Sequence, residues 1–242
     1  MRRFGLIGFP LTHSFSKKYF TQKFTEKGID AIYETYPIKD IAELGMLIKN
    51  NTELEGINVT IPHKQSVIPF LHSMSDVVNE IRACNCIRIR NNKLEGFNTD
   101  VTGFDISLST NLQPSHNKAL VLGTGGAAKA VCYVLSQKGI PWSQVSRNPT
   151  GNMVGYSDIT ASVISETRLI INTTPLGMFP DTDHCPELPY DAITDQHYLF
   201  DLVYNPSLTL FLQKGQQQGA VIENGYKMLV IQAEESWKIW NS

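Results

Sequence analysis

Three polar clusters and one glycine-rich turn hold the residues of this sequence that could do chemistry. The turn is Gly123-Thr124-Gly125-Gly126-Ala127-Ala128, directly after the apolar run Ala119-Leu120-Val121-Leu122. It fits G-x-G-x-x-A. The first glycine permits a tight turn, the second lets backbone N–H groups approach a pyrophosphate, and the small third residue lets the following helix pack on the strand. The helix N-terminus then favours the anion. Such a turn can also serve packing alone; a strand before it and a helix after it favour a dinucleotide. About twenty residues further on, where an acidic residue would hold the ribose 2′-hydroxyl of NAD, stands Ser146-Arg147-Asn148. No carboxylate is present there, and Arg147 suits the 2′-phosphate of NADP.

The polar clusters are His13-Ser14-Phe15-Ser16, then Asn58-Val59-Thr60-Ile61-Pro62-His63-Lys64, then Asn98-Thr99-Asp100. Taken singly they have plain structural uses. Ser14 and Ser16 suit a turn or a helix cap, Lys64 suits solvent, and Asp100 suits the start of a helix. Each cluster follows a strand, however, and strand tips of α/β sheets are where polar ligands bind.

Strands and helices must alternate to put those tips in place, and the sequence alternates almost throughout. Phe4-Gly5-Leu6-Ile7-Gly8, 31–36, 56–60 and 86–90 read as strands. The Asn91-Asn92 turn leads into a return strand at 93–96. Residues 17–27 and 41–49 read as helices, with Phe20 and Phe24 on one face. A second series starts near residue 100. Its strands are 119–122, 144–146, 169–172, 198–201 and 220–223, with helices at 127–138 and 227–240. The unbroken apolar run at 119–122 is what a strand buried on both faces requires. The pattern implies βα units and a mainly parallel sheet.

The 242 residues suffice for one large or two small domains. Hydrophobic residues make up 42% and charged residues 18%, enough for a full core and incompatible with disorder. A net charge of −2 gives no electrostatic footprint for nucleic acid. No apolar run reaches the roughly 18 residues of a membrane span, and Gly8, Pro10 and His13 interrupt any signal-peptide core. A cytosolic protein without nucleic-acid or membrane partners is expected, as a monomer or homodimer. The four cysteines read as buried free thiols. Cys84 and Cys86, two apart in an apparent strand, should share one face, and no further ligands at metal spacing accompany them.

These motifs, in this order, resemble the shikimate dehydrogenase family over nearly the whole chain. The resemblance rests on the Ser14/Ser16 cluster, Gly56-Ile57-Asn58-Val59-Thr60-Ile61-Pro62-His63-Lys64, Asn85 and Gly96-Phe97-Asn98-Thr99-Asp100. It continues through the glycine turn, Asn172-Thr173-Thr174-Pro175-Leu176-Gly177-Met178, the segment from Asp201 to Asn205, and that from Gly225 to Gln232. It implies an oxidoreductase that reversibly reduces 3-dehydroshikimate to shikimate with NADPH, in aromatic amino acid biosynthesis. It also implies an α/β fold of two domains: an N-terminal α/β substrate domain (1–100 with 227–242) and a Rossmann-like, doubly wound parallel sheet for NADP (101–226). The C-terminal helix returns to the first domain.

Carried over residue by residue, Ser14, Ser16, Asn58, Thr60, Asn85, Asp100, Tyr204 and Gln232 would contact the substrate, with Lys64 and Asp100 as the catalytic pair. Gly123, Thr124, Gly125, Gly126, Ala127, Ser146 and Arg147 would hold the cofactor, with Thr173, Leu202, Gly225 and Met228 near its ribose or nicotinamide end. The residue types suit the reaction. Hydride addition to a ketone makes an alkoxide, which an ammonium can stabilise and protonate. The two groups share a proton, and which of them is the immediate donor stays open. No metal is called for. Related alternatives are a quinate/shikimate dehydrogenase using NAD and a non-catalytic dinucleotide-binding redox sensor. Ser14 with Ser16 favours shikimate over quinate, and a sensor needs neither Lys64 nor Asp100. The sequence departs from the family pattern at Lys17 (commonly Pro), Cys86 (usually Thr) and Ser146-Arg147-Asn148 (usually Asn-Arg-Thr). Pro149, Thr150 and Gly151 stand where the family carries a second basic residue, which bears on the strength of the NADP preference.

Overall fold

The computed structural model describes residues 1–11 and 14–242, so His13 of the first polar cluster lies outside the described residues. The chain divides into two compact units, residues 1–99 with 233–242 and residues 100–232.

In the first unit the elements run β1 (Arg2–Gly8), α1 (Phe15–Lys27), β2 (Ala31–Pro37), α2 (Leu44–Asn50), β3 (Leu54–Val59), β4 (Ser73–Met74), α3 (Asp76–Ile81), β5 (Cys86–Arg90) and β6 (Lys93–Phe97). They form one six-stranded sheet in the order β2-β1-β3-β5-β6-β4. β1 pairs in parallel with both β2 and β3, whereas β5 is antiparallel to β3 and β6. Both turn residues between β5 and β6, Asn91 and Asn92, have positive φ, as a tight two-residue hairpin requires. The side-chain period of two splits the strand residues between two cores. Ile7, Ile57, Val59, Ile87 and Ile89 pack against Leu44 of α2 and Val78 of α3. Phe4, Leu6 and Cys86 pack on the opposite side against Phe20 and Phe24 of α1, together with Trp240. Trp240 stacks on Phe4 at 4.8 Å and donates its indole N–H to the Ile87 carbonyl at 3.0 Å. It lies directly over Gly56, where any side chain would collide with the indole. The glycine opening the second polar motif is therefore a packing requirement.

Cys84 and Cys86 do not share a face. β5 begins only at Cys86; the chain before it is not extended as a strand, so Cys84 joins the core with Ile57 and Ile87 while Cys86 joins the core with Phe4. Both are buried free thiols.

In the second unit α4 (Thr99–Leu108) leads into β7 (Ala119–Leu122), α5 (Gly126–Gln137), β8 (Trp142–Ser146), β9 (Val154–Gly155), α6 (Ala161–Glu166), β10 (Leu169–Asn172), β11 (Tyr198–Asp201), α7 (Leu210–Gln217), β12 (Val221–Asn224) and α8 (Tyr226–Asn241). The six strands lie in the order β12-β11-β10-β7-β8-β9, every pair parallel. Ala119, Val121, Leu169, Ile171, Tyr198 and Phe200 face Phe104 and Leu108 of α4, Val131 and Leu135 of α5 and Met228 of α8. Leu120, Leu122, Ile170 and Leu199 face Ile164 of α6 and Phe211 and Leu212 of α7. Helices on both faces of an all-parallel sheet make the doubly wound architecture. Met228 anchors the start of α8 in this core, while Ala233 and Trp240 belong to the first unit. The sequence-based division at 227 thus differs from the contact-based one at 233. Among the described residues no helix is long and apolar enough to cross a membrane, and no group of three or more His, Cys, Asp and Glu is arranged to hold a metal.

Candidate active site

In the second unit the register lines up the strand ends. Leu122 pairs with Val145 and Asn172, Asn172 with Asp201, and Asp201 with Asn224. The next residue on each strand is Gly123, Ser146, Thr173, Leu202 and Gly225 respectively. Five positions expected to hold a cofactor therefore form one row along the carboxyl edge of a parallel sheet, where α/β folds bind ligands.

The glycines of the turn have different reasons to be there. Gly123 has φ +113°, and a Cβ on it would sit 2.6 Å from the Thr173 hydroxyl, which donates to the Leu122 carbonyl at 2.6 Å. Gly125 has ordinary extended geometry (φ −74°, ψ −176°) and is the N-cap of α5. A Cβ there would meet nothing within 4 Å, and no side chain caps the helix. The space that a Gly125 side chain would fill, at the N-terminus of a twelve-residue helix, is therefore open, and no side chain caps its first N–H groups. That arrangement fits a pyrophosphate on Gly123, Thr124, Gly125, Gly126 and Ala127. Arg147 follows β8, is exposed, and has no carboxylate partner among the described residues. Ser146 turns its hydroxyl to accept from the Asn148 N–H at 3.2 Å. Gly225 lies so close to the Leu202 carbonyl that a side chain would overlap it. Met228 differs from the others, since its side chain is packed in the core with Phe104.

Below this edge Asp201 is fully buried. It accepts from Asn172 Nδ2 (3.0 Å), the Val203 N–H (3.0 Å) and Thr209 Oγ1 (2.6 Å). Burial pushes its carboxyl up to about 6, partly offset by those three donors. Tyr204, just beyond β11, is half-buried, and desolvation raises its phenol. Asp100, in the first turn of α4, and Gln232, in α8, are both buried. A Cβ on Gly103 would stand 2.8 Å from the Met228 carbonyl and 3.2 Å from Gln232 Cβ. α4 and α8 therefore cross at Gly103, and Asp100 lies one turn earlier on the same helix face. Spacing gave no sign of Gly103; its signal is the absence of a side chain three residues after the acid.

In the first unit the row Leu6, Asn58, Cys86 and Phe97 marks the corresponding edge. Ser14 is the N-cap of α1 and accepts from the Lys17 N–H at 3.1 Å, so its helix-cap role is real. Thr60 is tied through its N–H to the Ile7 carbonyl at 2.9 Å, its methyl against Gly8. Lys64, half-buried, follows in the turn, and its carbonyl accepts from the Cys84 N–H at 2.7 Å.

Asn58 and Asn85 lie in one buried network. Tyr33 donates to Asn58 Oδ1 at 2.8 Å. Asn58 Nδ2 donates to Ser236 Oγ at 2.9 Å and to the Asn85 carbonyl at 3.3 Å. Asn85 accepts from the Thr99 N–H at 2.7 Å and donates to Thr99 Oγ1 at 3.0 Å. Burial raises the Tyr33 phenol well above its usual range, partly offset by the Ser16 hydroxyl bonded to it. Tyr33 and Ser236 escape a reading of the sequence alone. Ser236 carries one legible signal, a small polar residue four after Gln232 in an otherwise apolar stripe; Tyr33 reads as an ordinary strand aromatic.

A glycine turn opening onto an unobstructed helix N-terminus, at the edge of a doubly wound parallel sheet, defines the dinucleotide-binding class of α/β proteins. A family model described as the shikimate dehydrogenase substrate binding domain matches residues 6–87. A curated shikimate dehydrogenase (NADP(+)) from Clostridium beijerinckii is 39% identical, the match covering 99% of this chain and 92% of that protein. The crystal structure of a shikimate dehydrogenase from Peptoclostridium difficile superposes with a TM-score of 0.88 at 33% identity, covering 100% of this chain and 92% of that one. The shikimate 5-dehydrogenase of Thermus thermophilus, in complex with NADP(H) and shikimate, gives a TM-score of 0.88 at 29% identity, covering 99% of this chain and 93% of its own. The chain belongs to the shikimate dehydrogenase family.

Proposed function

We propose that this protein is an NADP-dependent oxidoreductase that reversibly reduces 3-dehydroshikimate to shikimate in the cytosol. Residues 1–100 with 227–242 would hold the substrate, Tyr204 adding one contact from the segment 101–226 that would hold the cofactor. The observation that carries the reading is the row Gly123, Ser146, Thr173, Leu202 and Gly225, with open space at Gly125 in front of α5. In this reading the turn residues 123–127 bind the pyrophosphate and the Arg147 guanidinium pairs with the 2′-phosphate, while Thr173, Leu202 and Gly225 border the nicotinamide end. Reduced NADP, when bound, supplies a hydride.

The protein's own residues manage the proton and the orientation. The Lys64 ammonium stabilises the developing alkoxide and hands it a proton, and Asp100 orients the ammonium and accepts a substrate hydroxyl. Ser14 already accepts the Lys17 N–H, so its own hydrogen remains to donate to the substrate carboxylate. Thr60, Tyr204 and Gln232 supply further polar contacts to the ring hydroxyls. The test is NADPH absorbance on mixing the pure protein with NADP and shikimate, then with quinate, then with NAD in place of NADP. NADPH formation from shikimate well above that from quinate is expected. No NADPH from shikimate would refute the proposal, and quinate or NAD serving equally well would refute its specificity.

A further inference from the structure

We propose that Tyr33 and Ser236 are positioning residues that fix the Asn58 amide so that its carbonyl oxygen, not its NH₂, is what a substrate hydroxyl meets. The inference rests on the reading above that Asn58 touches the substrate, and it adds which end of the amide does so and what holds it there. Asn58 has one acceptor oxygen with two lone pairs and two donor hydrogens. Both hydrogens are engaged within the protein, by Ser236 Oγ at 2.9 Å and the Asn85 carbonyl at 3.3 Å. One lone pair is taken by the Tyr33 hydroxyl at 2.8 Å. What remains is the second lone pair. Flipping the amide would set its oxygen against the Asn85 carbonyl, acceptor against acceptor, and would oblige the Tyr33 and Ser236 hydroxyls both to reverse their roles. Tyr33 and Ser236 thus hold opposite ends of the group, and Asn58 is 4% exposed, so no water can substitute cheaply for either.

The polarity continues outward. The Tyr33 hydrogen is spent on Asn58, so the phenol oxygen is an acceptor for Ser16. Tyr33 itself cannot turn away, because its ring stacks on Phe20 at 4.8 Å with planes 14° apart. On the other side Ser236 lies 3.3 Å from Thr99 Oγ1, and Thr99 in turn holds Asn85 through its N–H. Two residues with no direct place in the chemistry therefore link four that have been assigned to the substrate edge or border it: Ser16, Asn58, Asn85 and Thr99.

The decisive experiment is a double-mutant cycle with steady-state kinetics. Tyr33→Phe removes only the hydroxyl, leaving the ring stack, and Ser236→Ala removes the opposite anchor. Each is expected to raise KM for shikimate about tenfold while KM for NADP stays unchanged. Added to Asn58→Ala, neither is expected to raise KM further, because the amide they orient is gone. A merely structural role would instead lower the unfolding midpoint, leave KM for shikimate unchanged and act alike with or without Asn58. Wild-type KM in both Tyr33→Phe and Ser236→Ala, alongside an impaired Asn58→Ala, would overturn this inference alone. A wild-type KM in Asn58→Ala would remove Asn58 from the substrate site and take the inference with it, while NADP reduction by shikimate itself remained intact. If one single variant fails to fold, the other carries the cycle.

Discussion

Replacing Gly125 and Gly123 by alanine, one at a time, separates a phosphate-binding turn from a packing turn. At Gly123 the backbone has φ +113°, a region alanine rarely adopts, which costs ~1–3 kcal/mol. The new methyl would also press on Thr173 and disturb its bond to the Leu122 carbonyl, worth ~1 kcal/mol. For a chain of this size each 1 kcal/mol lowers the melting temperature by roughly 2–4 °C, so Gly123→Ala is expected to melt on the order of 10 °C lower. At Gly125 the geometry suits any residue and the methyl meets nothing, so stability changes by a few tenths of a kcal/mol, about as an N-cap change from glycine would. The methyl does, however, occupy the space an anion needs. Losing one charge-assisted N–H bond to phosphate costs ~1.5–3 kcal/mol, or about 10–100-fold in affinity. Thermal melts give the first quantity and KM for NADP, or titration calorimetry, the second. Equal destabilisation by both substitutions, with NADP binding unchanged in Gly125→Ala, would show that the turn serves packing alone and refute the reasoning.

Three further outcomes are expected. Lys64→Ala should lower kcat by about 10²–10⁴-fold, the range for losing a positioned proton donor, with shikimate binding weakened far less; unchanged turnover would remove Lys64 from the mechanism. Arg147→Ala should raise KM for NADP about tenfold or more and leave KM for NAD nearly unaltered, and equal effects on the two would rule out a 2′-phosphate clamp. Asp201, raised by burial from 3.8 to about 6, binds its proton more tightly in the folded protein, so its contribution to stability is greatest below pH 4, falls between pH 4 and 6, and is flat above. Asp201→Asn keeps both acceptor bonds and can donate to Thr209, so urea unfolding should show that it lacks a fall of about 3 kcal/mol across that window; identical pH profiles for the two proteins would contradict the buried charge.

The parts of the fold that were legible in the sequence are those where one strong local rule applies. β7 is an unbroken apolar run, and β10 and β11 are apolar up to their last residues, Asn172 and Asp201, because both faces of a central parallel strand are covered; the structure buries every residue of all three. Gly123, Thr173 and Leu202 fall in one row because each follows one of these strands, and Ser146 and Gly225 extend that row along β8 and β12. Short elements were not: β4 and β9 are two residues each and α3 and α6 six, too short for a periodicity to show. The amphipathic α7 is hidden as well, its Phe211 and Leu212 separated from the next buried residue by polar positions. Cys84 illustrates a different failure, since alternation holds along a strand, and the strand begins only at Cys86. The bonds of Tyr33 and Ser236 to Asn58 could not be read from the sequence, because they join residues 25 and 178 apart in the chain. Ser14 was legible as a helix cap, since its hydroxyl accepts from the Lys17 N–H at the start of α1.

The first sheet does not have all its own material until residues 233–242 have been made. Phe4, Phe20 and Gly56 close around Trp240, and residues 233–242 belong to the same compact unit as residues 1–99. Units commonly fold in order as they leave the ribosome. Here the segment 100–232 has its complete core first, although it is translated second, and the amino-terminal sheet must wait with one aromatic face bare until the indole emerges. An apolar aromatic face of that kind is the surface a chaperone or an aggregate binds.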